Sequence, residues 1–180
     1  MNNYIKKYDK VISEDFCDHL IQQFESHIGH HEPYKDKTMS FTQIQLFSHK
    51  SWDSSSDLLI NVFKKHLQQY KEDFNINEKM WPQKYGFEGF RIKRYMPNDV
   101  DEFKEHVDVR DHNTARRFLV FFLYLDDNEK GTTTFSNMNY TSECTKGSLL
   151  MFPPLWPWLH AGQKPIKKPK YILGSYLHYA

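Results

Sequence analysis

The sequence is poor in cysteine, in excess charge and in long apolar runs. Its two cysteines, Cys17 and Cys144, are too few to indicate a disulfide scaffold or a cysteine-ligated zinc site, and they favour a reducing compartment. Nowhere do about eighteen apolar residues follow one another, so the sequence predicts no transmembrane helix. The first ten residues lack the apolar stretch of a signal peptide, and we therefore expect a cytoplasmic protein.

Charge does not identify a partner. The formal net charge of +1 creates no overall field that would attract nucleic acid or an anionic membrane. The length of 180 residues, with 39% hydrophobic and 16% aromatic residues, suits one domain with a sizeable core. No internal repeat, low-complexity tract or flexible linker divides the chain, so we predict a single domain over residues 1–180.

The first eighty residues carry the helical patterns. Ser13 is a candidate N-cap, after which Phe16, Leu20, Phe24 and Ile28 recur at four-residue spacing. Alternation over residues 41–47 predicts a strand, and residues 54–70 predict a second helix. The apolar stripe expected on that helix consists of Leu58, Leu59, Val62, Phe63 and Leu67.

Three residues of the second half suit a metal ion. His106 and Asp108 are two positions apart, the repeat at which strand side chains return to one face, so one strand could present both. His160 lies far enough along the chain for another strand to bring it alongside. Two histidines and one carboxylate with open positions are the ligand set of non-haem Fe(II) oxygenases. A histidine and an aspartate at this spacing also arise by chance, so the metal-site hypothesis depends on the residues around them as well.

Lys170 follows His160 by ten residues and begins the β-prone run Tyr171-Ile-Leu. If this β-prone run is buried, the Lys170 ammonium requires an anionic partner, which predicts an anchor for a carboxylate. The alternative is that Lys170 belongs to a solvated basic loop with Lys164, Lys167 and Lys168. Alternation over residues 118–125 places Phe118, Val120, Phe122 and Tyr124 on one face, where Tyr124 either donates to that carboxylate or packs in an ordinary core.

From about Phe90 to the C-terminus the sequence resembles the prolyl 4-hydroxylase-like branch of the Fe(II)/2-oxoglutarate-dependent dioxygenases. The matching pieces are Arg94-Tyr95 with Pro97, His106-Val-Asp108, Arg117 through Tyr124-Leu-Asp126, Gly131 with Phe135, Lys146-Gly147 with Phe152, His160-Ala-Gly162 and Lys170-Tyr171. Two departures are Lys130-Gly-Thr-Thr-Thr134, where the family usually has Gly-Gly-Glu-Thr, and Asp126, where it has asparagine. A late tryptophan of the family appears here as Tyr176.

The resemblance implies an α+β, mainly β protein with a double-stranded β-helix (a jelly-roll or cupin-like barrel) over residues 85–180, braced by helices and first strands within residues 1–80. It implies that His106, Asp108 and His160 bind Fe(II). It further implies that Lys170, Tyr124 and Tyr95 contact 2-oxoglutarate, which is oxidised to succinate and CO2 with dioxygen as the second co-substrate. Ascorbate is a candidate additional requirement. No protein acid, base or nucleophile is expected beyond the metal centre.

The expected substrate is proline in a peptide or protein. Trp156 and Trp158 share the parity of His160 and either hold a polyproline II peptide or close the barrel end. Arg110 begins a loop that is either a substrate rim or a polar turn. No membrane partner is expected, and the sequence leaves the oligomeric state open.

Other functions compete with this hypothesis. An oxygenase of the same kind could act on a small molecule or a nucleic-acid base, although relatives that demethylate nucleic acid have arginines after the distal histidine, where this chain has Lys170. The barrel could be a non-catalytic metal-binding module, against which the intact ligand triad argues. A zinc hydrolase could also use two histidines and an aspartate, but Lys170 would then have no purpose.

Overall fold

A computed structural model describes residues 3–180, which form two α-helices, twelve β-strands and five short 3-10 turns. The helices are α1 (Glu14–Ser26) and α2 (Asp53–Asp73). The strands are β1 (Lys6–Tyr8), β2 (Glu32–Lys35), β3 (Met39–Gln45), β4 (Tyr85–Phe87), β5 (Arg91–Tyr95), β6 (Glu102–His106), β7 (Arg117–Tyr124), β8 (Asn128–Phe135), β9 (Tyr140–Cys144), β10 (Leu149–Phe152), β11 (His160–Gly162) and β12 (Lys170–Tyr179). The 3-10 turns are Ile28–His30, Leu46–Ser48, Lys50–Trp52, Glu78–Met80 and Ser136–Met138.

The strands pair in two antiparallel runs. One run has the order β10-β7-β12-β5 and the other β6-β11-β8-β9, while β3 joins them by pairing with both β5 and β6. β1 extends the first run beside β10, β2 pairs with β3, and β4 pairs with β12. Apart from the adjacent pair β8 and β9, the strands of the second half thus alternate between the two runs and wind into a double-stranded β-helix, which confirms the expected fold class. The N-terminal part contributes β3 to the barrel in addition to its helices.

Helix α1 begins where the sequence predicts it. The Ser13 hydroxyl accepts a hydrogen bond from the Phe16 amide at 3.2 Å, which satisfies one of the unpaired donors of the first turn. Leu20 and Phe24 are buried against the sheet. The expectation for Ile28 is wrong, because the helix ends at Ser26 and the Ile28 side chain is exposed in the following 3-10 turn.

Helix α2 is longer than the pattern predicts and packs on the outer face of the first run. Phe63 lies at its centre, 5.0 Å from the Phe121 ring and 5.2 Å from the Phe90 ring, between ring centroids. Leu59 and Leu67 are buried on the same face, but Leu58 is 52% exposed. Leu58 was wrongly included in the stripe, since a residue adjacent to Leu59 points about 100° away from it around a helix.

Strand β7 is buried on both faces, which explains its nearly continuous apolar sequence. The face toward the helices carries Leu119, Phe121 and Leu123. The face inside the barrel carries Val120, Phe122 and Tyr124, as expected. Phe118 departs from that row and packs against Trp81 at 5.2 Å, because the β12 ladder skips from Leu119 to Arg117 and leaves Phe118 in a bulge.

The part of the chain that the structure describes contains no helix that could span a membrane. Neither α1 nor α2 combines the length and the apolarity needed to cross a bilayer.

We expect Phe63→Ala to lower the free energy of unfolding by about 3–5 kcal/mol, because it removes a fully buried ring between the helix layer and the sheet. Leu58→Ala on the same helix is the matched control and should change stability by about 0.5 kcal/mol or less, since its side chain is half exposed. Chemical denaturation of both variants measures the difference. Equal losses would contradict the packing described here.

Candidate metal centre and co-substrate pocket

The two histidines of the candidate triad come from neighbouring strands. His106 is the last residue of β6 and His160 the first of β11, and the two are direct partners in the antiparallel ladder. Asp108 lies just beyond the end of β6, where its amide and that of Val109 each donate to the Pro154 carbonyl at 3.2 Å. The pairing of β6 with β11 therefore brings together residues that are distant in the sequence.

The ligand atoms of the triad converge. The Nε2 atom of His106 lies 3.6 Å from Oδ1 of Asp108, and the Nε2 atom of His160 lies 3.5 Å from Oδ2. One ligand atom from each residue can be chosen so that all lie within 4.8 Å of one another. All three side chains are buried, and both Nε2 atoms and Asp108 Oδ2 lack a hydrogen-bond partner among residues 3–180.

Backbone carbonyls determine which imidazole nitrogen carries the proton and which has a free lone pair. Nδ1 of His106 lies 2.7 Å from the Lys104 carbonyl, and Nδ1 of His160 lies 2.9 Å from the Trp158 carbonyl. A carbonyl can only accept, so in each histidine Nδ1 carries the proton and Nε2 offers a lone pair. Burial lowers the pKa of His160 to about 4, although Asp108 opposes this, so the imidazole is neutral at neutral pH.

The Asp108 carboxylate is held on its other oxygen. Tyr176 on β12 donates its hydroxyl proton to Oδ1 at 2.7 Å, which leaves Oδ2 unpartnered beside Nε2 of His160. Burial raises the pKa of Asp108, but the attraction of His160 and His106 and the Tyr176 hydrogen bond together outweigh burial and lower the pKa. The carboxyl group is thus ionised and oriented before any metal binds.

Arg117 and Glu88 support this carboxylate from outside. The Arg117 guanidinium lies over the Tyr176 ring, 4.0 Å from the centroid, and donates through Nη1 to the Asp108 carbonyl at 3.3 Å. Its Nε and Nη2 donate to the two oxygens of Glu88 at 2.8 and 2.9 Å. Glu88 was missed in the sequence, where no pattern links it to Arg117, because the two residues meet only through the packing of the strands.

Lys170 is a buried cation. It is 2% exposed, so the alternative of a solvated basic loop is excluded for this residue. Its Nζ lies 5.7 Å from the Tyr95 ring centroid and 5.9 Å from that of Tyr124. Within residues 3–180 no carboxylate forms an ion pair with it, and burial lowers its pKa. Such an ammonium requires an anion from outside the chain.

The wall behind Lys170 is made by β8. The Tyr124 hydroxyl donates to Oγ1 of Thr133 at 2.7 Å, and it is Thr133 rather than Tyr124 that lines the pocket in front of Lys170. A side chain at Gly131 would place Cβ 2.8 Å from Cδ of Lys170, so glycine is needed for the lysine stem to pass. Asn128 accepts from the Gly131 amide at 2.9 Å. The sequence pointed to Gly131 but not to Thr133 or Asn128.

Two cavities meet at the triad. The inner pocket is lined by both histidines, Tyr95 and Lys170. An open groove of about 270 Å³ adjoins it, lined by His106, Asp108 and Arg110 among others. The polar turn expected after Asp108 is therefore also a wall of the groove.

The two tryptophans are placed differently from the sequence interpretation. The chain from Pro153 to Leu159 is a turn and β11 begins only at His160, so Trp156 and Trp158 do not share strand parity with the histidine. The Trp156 side chain is 79% exposed. The Trp158 indole donates to the Asn3 carbonyl at 2.6 Å. Neither residue lines the groove or the inner pocket.

The donor set fits Fe(II). Two imidazoles and one ionised carboxylate, each with an unpartnered atom aimed at the same point, are the facial triad of non-haem iron enzymes. The open side of the triad faces the pocket that contains the Lys170 ammonium, so a dianion chelating the metal could reach both.

Comparisons with known proteins agree with this site. Residues 90–178 match the family model described as the 2OG-Fe(II) oxygenase superfamily. The comparison with curated proteins gave no match.

Solved structures with the same fold include three prolyl hydroxylases. A viral collagen prolyl hydroxylase from Paramecium Bursaria Chlorella virus-1, in complex with 2-oxoglutarate, is 21% identical with a TM-score of 0.74, over 98% of this chain and 97% of that one. A Pseudomonas putida prolyl-4-hydroxylase is 12% identical with a TM-score of 0.73, over 99% and 94%. A Trichoplax adhaerens prolyl hydroxylase bound to a hypoxia inducible factor peptide fragment is 13% identical with a TM-score of 0.76, over 99% and 84%. Residues 90–178 of this chain are therefore a 2OG-Fe(II) oxygenase domain.

Proposed function

We propose that this 2-oxoglutarate-dependent dioxygenase hydroxylates proline in a peptide or protein. The observation that carries the reaction type is the convergence of three ligand atoms beside a buried ammonium, all of them without a partner in residues 3–180. The proline assignment is supported by the prolyl hydroxylases that share the fold along nearly the whole chain, and by the open groove beside the triad. One of these relatives is described with a peptide bound.

In this proposal each residue has a defined task. His106, Asp108 and His160 hold Fe(II), and Lys170 forms an ion pair with the distal carboxylate of 2-oxoglutarate. Tyr95 lines the same pocket, and Tyr124 orients the Thr133 hydroxyl toward it. When bound, iron with 2-oxoglutarate and dioxygen supplies the oxidation that yields succinate, CO2 and a hydroxylated carbon.

The remaining work of the chain is orientation and exclusion of water. The aromatic rings of Phe103, Phe122 and Phe152 pack around the two histidines and keep the ligand side of the barrel apolar. The site therefore offers the reacting groups a dry, pre-arranged environment. A requirement for ascorbate and a cytoplasmic location both stay predictions from the sequence.

The first test measures succinate and a +16 Da product with Fe(II), 2-oxoglutarate, air and a proline-rich peptide. We expect succinate formation that rises with the peptide and that falls to background in His106→Ala, because one histidine and one carboxylate do not complete the ligand set. Product on another substrate, such as methylated single-stranded DNA, but on no proline peptide would contradict the proline assignment. Metal binding with no succinate under any condition would favour a non-catalytic module, and turnover with zinc but without 2-oxoglutarate would favour a hydrolase.

Lys170→Met should raise the KM for 2-oxoglutarate by roughly 30-fold or more, because a buried charge pair with the co-substrate is worth about 2–5 kcal/mol. Iron affinity should change little, which equilibrium titration with Fe(II) under anaerobic conditions would check. Lys167→Met is the matched control, since Lys167 lies in the loop that precedes β12 with 84% of its side chain exposed. An unchanged KM in Lys170→Met would exclude the proposed anchor.

Tyr176→Phe should weaken metal binding by about 10–100-fold, because removal of the hydroxyl frees Asp108 Oδ1 and loosens the orientation of the carboxylate. The aromatic ring under Arg117 is kept, so the loss of stability should be limited to the lost hydrogen bond, about 1–3 kcal/mol. Tyr179→Phe on the same strand is the control, since its side chain is half exposed. Titration with Mn(II) followed by electron paramagnetic resonance measures both affinities, and equal values would refute the positioning role.

A further inference from the structure

Lys93 is a second cation without an ion pair near the triad. It lies on β5, where it pairs in register with Ile172 of β12 and Gln43 of β3. Its Nζ lies 4.6 Å from the Phe41 ring centroid and 5.4 Å from that of Phe103. Throughout residues 3–180 no carboxylate comes within ion-pair distance of this ammonium. Aromatic faces alone attract a cation only weakly compared with a carboxylate.

The position of Lys93 separates it from the Lys170 anchor. Arg91, Lys93 and Tyr95 alternate along β5 and form one row across the site. Tyr95 marks the co-substrate end of the row, beside Lys170, and Arg91 marks the outer end, 3.8 Å from Glu88. Lys93 stands between them, and it is one of only three residues that line both cavities, with Phe103 and His106.

The groove that Lys93 enters is electropositive. Four of its lining side chains are cationic and two are carboxylates. One carboxylate is Asp108, which the metal takes up, and the other is Asp111, which accepts hydrogen bonds from the Thr114 amide and hydroxyl at 2.9 Å each. Glu88 lies behind the groove and forms ion pairs with both Arg117 and Arg91. Lys93 and Arg110 are therefore left without a carboxylate partner in the described chain.

The Lys93 ammonium remains charged near neutral pH in spite of its surroundings. Burial lowers its pKa to about 8, while the negative charge of Asp108 opposes the shift. A bound divalent cation would cancel that favourable charge. An anionic group from the substrate would then be the compensation available in the groove.

We propose that Lys93 is a specificity-determining residue that binds a carboxylate of the substrate, so that the preferred substrate is a peptide with an acidic residue next to the target. This inference rests on the proposed function for the identity of the target residue. A free C-terminal carboxylate beside the target has the same chemistry, and Arg110 at the outer wall is placed to favour the same charge.

The test measures binding and turnover separately. Seven-residue peptides contain one central proline flanked by alanine, or by a single glutamate or lysine on either side, and end in an amide. A further alanine peptide with proline at its end carries a free carboxylate. Dissociation constants are measured for the anaerobic Fe(II) and 2-oxoglutarate complex of the full chain, and hydroxylation is then measured in air.

We expect a glutamate peptide or the free-carboxylate peptide to bind about ten-fold more tightly than the neutral peptide, and the lysine peptides to bind more weakly. Lys93→Met should abolish this preference with an unchanged KM for 2-oxoglutarate, while Lys93→Arg should keep part of it. Lys167→Met, which removes an exposed lysine outside the groove, should keep all of it. Tighter binding of a glutamate peptide would identify a side-chain carboxylate as the ligand, and tighter binding of the free-carboxylate peptide would identify the C-terminus.

Several results would overturn the inference. These are equal binding of all peptides, a preference that survives Lys93→Met, or a raised KM for 2-oxoglutarate in Lys93→Met, which would assign the ammonium to the co-substrate instead. Because peptide binding is measured without turnover, the role of Lys93 and the identity of the target residue can be rejected independently of each other. Acidic peptides that bind through Lys93 without hydroxylation would reject proline as the target, and hydroxylation without charge preference would reject only the role of Lys93.

Discussion

The ladder between β6 and β11 is the contact on which the site depends. It sets His106 opposite His160 in register, and the carbonyl of Pro154 then holds the chain just after β6 so that Asp108 turns toward both. A slip of one residue would move either histidine to the other face of the sheet and separate the ligand atoms. The metal centre is therefore a property of strand register more than of any single residue.

The barrel tolerates the unpaired polar atoms of the triad because the surrounding structure holds them in place. Tyr176 binds one oxygen of Asp108, Arg117 covers the Tyr176 ring, and Glu88 fixes Arg117 with two hydrogen bonds. Removal of a buried partner from such a chain costs more than the bond itself, since the remaining polar group stays desolvated. An unpaired buried ammonium likewise costs stability, so Lys170 indicates a site where an anionic ligand binds.

Charge divides the site into two compartments. Lys170 stands at the closed end, where an anion must enter past the triad, whereas Lys93 stands where the inner pocket opens into the groove. Each ammonium is desolvated and each lacks a carboxylate in the described chain, so both favour anionic ligands. The two proposals assign one anionic ligand to each lysine, with 2-oxoglutarate at Lys170 and an acidic peptide at Lys93.

Sequence alone determined the candidate ligands and several local elements, because short-range spacing carries that information: His106 and Asp108 are two residues apart, Ser13 caps a helix, and the apolar run of β7 requires burial. The fold class followed from the family resemblance of the second half of the sequence. It could not determine contacts between residues that only packing brings together. Glu88 with Arg117, Thr133 with Tyr124 and the position of Lys93 between the cavities fall in this class. Local patterns also misplaced Phe118, Ile28 and the tryptophans, since a bulge, a helix end and a turn interrupt each periodicity. Tertiary structure decided these points, because register and burial depend on partners that lie far away in the chain.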